Sequence, residues 1–223
     1  MDSSYFAFLL LAIGIGFISQ TMIKLSYKKW KKNTTGFGVS GADAARTMLN
    51  VNGLNHVNII QVEGQLSDHY NPRTDTVALS PDVYQGCTVS AVAIACHEAG
   101  HAVQHAREYV PAKIRGAIVP VASIASNVWV FVLIAGFVLG MLGLLYLAVA
   151  LFAATLIFQL VTLPVEFDAS KRASAFIQQS GWLDQKEFGG AKAVLRSAAF
   201  TYVAAALASI LQLIYYFQVL SRD

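Results

Sequence analysis

The sequence predicts a membrane α+β protein: four transmembrane helices joined to a small polar part built from a short helix, a small sheet and one longer helix. Three observations predict it. Hydrophobic residues make up 56% of the 223 residues and charged residues only 13%, with a mean hydropathy of +0.53. A soluble domain carries about 25% charged residues, so half that charge cannot cover a water-facing surface of this size. The apolar residues also gather into runs long enough to cross a hydrocarbon core about 30 Å thick. Finally, the polar stretch after the first run alternates strand-like with helix-like patterning. The same composition excludes disorder, which needs low hydrophobicity and high net charge. Two cysteines exclude a disulfide-stapled module, and Cys87 and Cys96 read as small thiols in a reducing compartment. A net charge of +3, with no basic patch interleaved with aromatics, gives no reason to expect nucleic acid.

Residues 5–23 form an apolar run with only small polar interruptions, followed at once by Lys24, Lys28, Lys29, Lys31 and Lys32. A cleavable leader has the reverse order, charge before the apolar core, so this run is expected to be a retained anchor. Residues 33–115 form the polar part. Ser40 suits an N-cap for a short helix over about 41–49, stopped by Asn52-Gly53. Residues 57–62 are β-branched and predict a strand, and 74–79 predict a second, entered through Asn71-Pro72 and left through Ser80-Pro81. Residues 90–107 are alanine-rich with helical periodicity.

Residues 117–163 hold 47 residues without a charge, too many for one crossing, and suit two helices turning near Gly136, Gly140 and Gly143. A polar helical segment is expected over 164–196, punctuated by Gly181 and Gly189-Gly190, before a fourth crossing over 198–220. In this arrangement Lys24 to Lys32, Lys113, Arg115, Lys171, Arg172, Lys192 and Arg196 all fall on one side of the membrane, with Asp2, an uncharged turn and Arg222-Asp223 on the other. The bias places the polar part in the cytoplasm and both termini outside.

His97-Glu98-Ala99-Gly100-His101 is an HExxH motif on the helix-forming stretch. Positions i and i+4 share a helix face about 6 Å apart, so two imidazoles can converge on one Zn²⁺. Glu98 stands beside them as general base toward water that the metal acidifies. Charged groups are scarce in this chain, and three ionisable side chains in one turn mark a site. A hydrolytic zinc needs a third protein ligand. His105 continues the face but lies about 12 Å further along the helix, beyond reach of the same ion. The glycine-containing extension found in metzincins is missing. Glu166 is the better candidate, Asp168 its competitor, and Asp68 and His69 lie further off.

The segments from Asp68 to Arg73, from His97 to His105 and from Thr162 to Ser170, together with Thr201 to Ala205, resemble the YugP-like neutral zinc metallopeptidase family of bacterial membrane proteins. The resemblance spans nearly the whole chain, and the stretch TLPVEFDAS is more specific than the HExxH alone. It implies a zincin-like fold for the cytoplasmic part, with His97, His101 and Glu166 as zinc ligands and Glu98 as catalytic glutamate, the arrangement of glutamate-liganded zincins. Similar membrane proteases carry an acid four residues after the ligand glutamate, where this chain has Ser170; Asp168 or Ser170 is then expected to support a zinc histidine. In zincin folds a strand beside the cleft pairs with extended substrate, and Thr74, Asp75, Thr76, Val77, Ala78, Leu79 and Ser80 are expected to supply it. For the oxyanion donor the candidates are His69, Tyr70, Arg73, Arg172 and Tyr202, with His69 and Arg172 leading by proximity to the motifs.

The expected function is a multi-pass zinc endopeptidase of the bacterial cytoplasmic membrane, acting at its cytoplasmic surface on membrane proteins, their tails or misfolded chains. Membrane lipids, a regulatory membrane partner and self-association through the Gly136–Gly143 region are the expected partners. A site-2-type intramembrane protease is a weaker reading, because Leu183-Asp184 is followed by Gln185 and not by glycine. A catalytically silent zinc-stabilised scaffold is the non-enzymatic alternative. A transporter fits poorly, since the predicted crossings contain no ionisable group.

Overall fold

The computed structural model describes residues 3–220, so the terminal charges at Asp2, Arg222 and Asp223 lie outside the described residues. The chain is mostly helical, with α1 (Ser3–Trp30), α2 (Gly41–Val51), α3 (Pro81–Tyr84), α4 (Val89–Ala106), α5 (Val110–Leu139), α6 (Leu142–Ser180) and α7 (Gln185–Leu220), and it has three short strands, β1 (Asn58–Gln61), β2 (His69–Asn71) and β3 (Thr76–Leu79). Four of the helices, α1, α5, α6 and α7, are long and apolar enough to cross a membrane. The chain divides into two compact units, one of residues 1–20, 113–164 and 201–223 and one of residues 21–112 and 165–200.

The first unit contains the apolar stretches of those four helices. Its α5–α6 turn follows the glycine pattern. Gly140 takes a left-handed φ of 63°, a conformation that costs glycine nothing. Gly136, one turn earlier, lies against Leu145, where a Cβ would come within 2.7 Å of the leucine side chain. Trp129, Phe152 and Tyr216 pack ring on ring, with Trp129 and Phe152 centroids 4.8 Å apart.

The second unit holds a continuous core from Trp30 through α2, the sheet and α4 to Leu195. Helix α2 begins at Ser40, whose hydroxyl accepts the Asp43 N–H as an N-cap. Helix α4 begins likewise at Thr88, which accepts from Ala91 N–H. The strands order β1-β3-β2. β3 runs parallel to β1 with Val77 opposite Ile59, and antiparallel to β2 with Val77 opposite Tyr70. Val77 and Leu79 are fully buried, as expected of the middle strand of a sheet covered by helices.

Element boundaries differ from the sequence expectation in instructive ways. The strands are shorter than 57–62 and 74–79, and β2 is an unexpected third strand. Residues 165–200 fall in the second unit, close to the expected 164–196, but no helix ends at those limits: Val165–Ser180 continues α6, the chain turns over 181–184, and α7 runs unbroken from Gln185 to Leu220. Hydropathy changes near residues 164 and 197, but a helix does not need to end where its surroundings change from apolar to polar. Gly189-Gly190 does not interrupt α7. Gly190 sits under the Trp30 indole, where a Cβ would approach to 2.4 Å, so the glycine serves close packing and not a turn.

Candidate metal centre

Helices α4 and α6 build the site. On α4, His97 and His101 stand one turn apart, their rings edge to face with centroids 4.7 Å apart. On α6, Glu166 aims its carboxylate between them, Oε2 lying 3.2 Å from His97 Nε2 and 3.6 Å from His101 Nε2. One ligand atom from each of the three residues lies within 4.8 Å of the others. All three are sheltered, with only 4% of the Glu166 side chain exposed. The helices come this close because Gly100, within the motif, lies against the Ala169 backbone; a Cβ there would stand 2.9 Å from the Ala169 carbonyl oxygen.

Each histidine has a partner on its other nitrogen. The Ser170 hydroxyl meets His97 Nδ1 at 3.2 Å. The Gln104 Oε1 meets His101 Nδ1 at 3.0 Å. In the neutral tautomer that donates from Nδ1, Nε2 of each ring is a bare lone pair toward Glu166; for His97 the Ser170 hydroxyl can accept that hydrogen. Two lone pairs and a carboxylate then face one another in a sheltered space, an arrangement that repels itself unless a cation sits among them. The donor set, two imidazoles and a carboxylate, suits zinc. The same field acts on His101: burial works to lower its pKa, but the hydrogen bonds it can donate to Glu166 and Gln104 and the charges of Glu98 and Glu166 outweigh it and raise the value. Glu98 is buried next to His97. Asp68 lies within electrostatic reach of Glu98; its carboxyl pKa is raised, chiefly by burial, although it accepts hydrogen bonds from Ser80 N–H and the Ser80 hydroxyl.

The structure brings together His97, His101, Glu166 and Ser170. Asp168 touches neither histidine. Its Oδ2 accepts from Gln104 Nε2 at 2.9 Å and from Arg172 Nε at 2.6 Å. The Arg172 guanidinium also lies 5.9 Å from the Tyr109 ring centroid. His69 is exposed on β2, its Nδ1 donating to the Ser67 carbonyl at 2.8 Å. Tyr70 bonds Asp75 and His105, and His105 is exposed. Arg73 sits in the β2–β3 turn, its N–H on the Asn71 side chain. Tyr202 lies on α7, in the other unit.

The stretch Thr74 to Ser80, expected to pair with extended substrate, has strand neighbours of its own. Only Thr76–Leu79 is extended, and it is flanked by β1 on one side and β2 on the other. Both rows of backbone groups are already paired, so among the described residues only β1 and β2 offer an edge to another strand. The sequence reading missed Gln104. Its sign was present, a glutamine three residues after His101 on an otherwise small and apolar helix face, but a polar residue at that spacing is as often solvated as buried. Cys96, next to His97, is fully buried, and burial raises its thiol pKa, which keeps it an inert packing residue.

A family model described as "Putative neutral zinc metallopeptidase" matches residues 5–221. A protein of Bacillus subtilis (strain 168) described as "Putative membrane protease YugP" is 43% identical over 203 residues, covering 91% of this chain and 90% of that protein. No solved structure matches the chain.

Proposed function

The chain belongs to the neutral zinc metallopeptidase family, and from that premise we propose that it is a membrane-anchored endopeptidase whose zinc is held by His97, His101 and Glu166 and whose general base is Glu98. The convergence of three ligand atoms within 4.8 Å, from residues 69 positions apart at the extremes, is the observation that carries this reading. Zinc, when bound, supplies Lewis acidity, polarising the scissile carbonyl and acidifying the attacking water. Glu98 takes the proton that water loses as it adds to the carbonyl carbon, and delivers it to the leaving nitrogen. Its burial beside the ligands keeps its carboxylate from being solvated away from that task.

Of the candidates for the oxyanion donor, His69 and Arg172 lead Tyr70, Arg73 and Tyr202, and the hydrogen bonding favours Arg172. Neutral His69 has committed its N–H to Ser67, so its Nε2 can donate only after protonation. Arg172 has guanidinium N–H groups beyond the Nε given to Asp168. The excess of lysine and arginine flanking the apolar runs supports an active site at the cytoplasmic face of a bacterial plasma membrane, with both termini on the far side. Substrates would be membrane proteins, their tails or misfolded chains; lipids surround the crossings, and a regulatory membrane partner or a second copy would control access.

The test uses the full chain purified in detergent, with zinc content and hydrolysis of an unfolded protein measured side by side. Wild type is expected to hold zinc, His97→Ala and Glu166→Ala to lose it, and Glu98→Gln to keep it while hydrolysis drops by roughly 10²- to 10⁴-fold. Stoichiometric zinc in Glu166→Ala would transfer the third-ligand role to Asp168 or His69. Unchanged behaviour in Glu98→Gln would leave a zinc-stabilised scaffold.

A further inference from the structure

We propose that Gln104 is a positioning residue for His101: its amide selects the imidazole tautomer that leaves Nε2 bare, and hydrogen bonds through Asp168 to Arg172 hold that amide in place. The inference rests on the zinc reading above but concerns residues outside the ligand set.

Gln104 is almost wholly buried, 1% exposed. A buried amide must satisfy both ends. One end faces two acceptors, the Val165 carbonyl oxygen at 2.7 Å and Asp168 Oδ2 at 2.9 Å. Neither can donate, since a carbonyl has no hydrogen and Asp168 accepts from the Arg172 guanidinium at 2.6 Å. That end is therefore the NH₂ group, and both of its hydrogens are used. The remaining atom, Oε1, is an acceptor and faces His101 Nδ1 at 3.0 Å. The neutral imidazole must then carry its hydrogen on Nδ1 and present a bare Nε2 toward Glu166. Each step follows from donor and acceptor counts, beginning at a charged pair and ending at a ligand atom. Drawing electron density from the NH₂ side also strengthens Oε1 as an acceptor. The amide spans two helices, since Gln104 is on α4 while Val165, Asp168 and Arg172 are on α6. It thus ties the helix bearing both histidines to the helix bearing Glu166.

The contact also accounts for Asp168. A carboxylate near the site was expected to support a histidine directly; here it orients the amide that does so, and Arg172 Nε donates to it.

The test uses full-length protein in detergent, labelled with ¹⁵N-histidine, in metal-free and zinc-loaded forms. Metal-free wild type, at a pH above the His101 titration, is expected to show His101 as the Nδ1–H tautomer. Gln104→Leu should show a mixture, and its zinc affinity, measured by chelator competition, should fall about 10- to 100-fold. Gln104→Glu keeps an acceptor for His101 but sets a carboxylate against Asp168, and should lose zinc comparably. Adding Asp168→Asn to Gln104→Glu supplies a donor at position 168 and the original net charge, and should recover part of the affinity, the Val165 carbonyl still facing a carboxylate. Wild-type tautomer and affinity in Gln104→Leu, or no recovery in the double variant, would overturn the proposal. A wild-type protein that binds no zinc yet shows a Gln104-dependent tautomer would instead defeat the endopeptidase reading and leave the role of Gln104 intact.

Discussion

His97 leans on a hydroxyl and His101 on an amide, both neutral partners, at 3.2 and 3.0 Å. A serine can donate or accept, so it fixes its ring less firmly than the glutamine does. Ser170→Ala should therefore weaken zinc binding by about 10-fold, near the lower end of what outer partners contribute, as read by chelator competition. A different effect is expected at Asp68. Burial raises its carboxyl pKa above the unfolded value despite the two hydrogen bonds from Ser80. Keeping it ionised in the fold thus costs stability at pH values above its folded pKa, while below the unfolded pKa, where it is protonated in both states, the cost vanishes. Asp68→Asn retains a carbonyl acceptor for Ser80 N–H without the charge. It should raise the midpoint of thermal unfolding in detergent at neutral pH and leave it unchanged in acid; an equal shift at both would disprove the electrostatic cause.

Close approach of helices is settled by single glycines. At Gly100 the obstacle to a Cβ is the Ala169 backbone, which cannot rotate away. Gly100→Ala should push α4 off α6, cost about 1–3 kcal/mol and lower zinc content together with the unfolding midpoint. The neighbouring pair on α7 gives an internal control. Gly190 lies under Trp30, whereas nothing stands within 4 Å of a Cβ at Gly189. Gly189→Ala should stabilise the helix by up to about 1 kcal/mol, while Gly190→Ala should destabilise through displacement of the buried indole. Equal responses at the two positions would contradict the packing described here. The sheet makes a similar point about position. β3 has the apolar, β-branched character expected of a strand beside a cleft, but that character also suits a strand enclosed by two neighbours, and the pairing, not the composition, decides which it is.

Across the whole molecule, apolar length and charge asymmetry were legible because they are properties of contiguous sequence. Four helices that can span a bilayer were expected and are present, although α6 and α7 run on into the second unit beyond the expected limits of their apolar runs. Fusion tags reporting accessibility at each end are expected to lie outside the cytoplasm, and a tag found inside would reverse the orientation proposed from the lysine and arginine flanks. The two histidines were legible as a pair because helical periodicity alone puts residues 97 and 101 on one face. Glu166 was legible only as one candidate among several, until the resemblance to zinc peptidases singled it out.

The sequence by itself determined the membrane-spanning character, the motif helix and the kind of ion that helix suits, since each depends on the order of residues within one segment. The tertiary structure brings Glu166, the carboxylate that the resemblance implied, to the histidines, and it alone decided that Ser170 and Gln104 and not Asp168 touch their far nitrogens and that β3 is enclosed on both sides. These are distances between segments remote along the chain, and no local periodicity encodes them: they come from how closely a glycine lets two helices approach and from which donors and acceptors are left facing one another when they do.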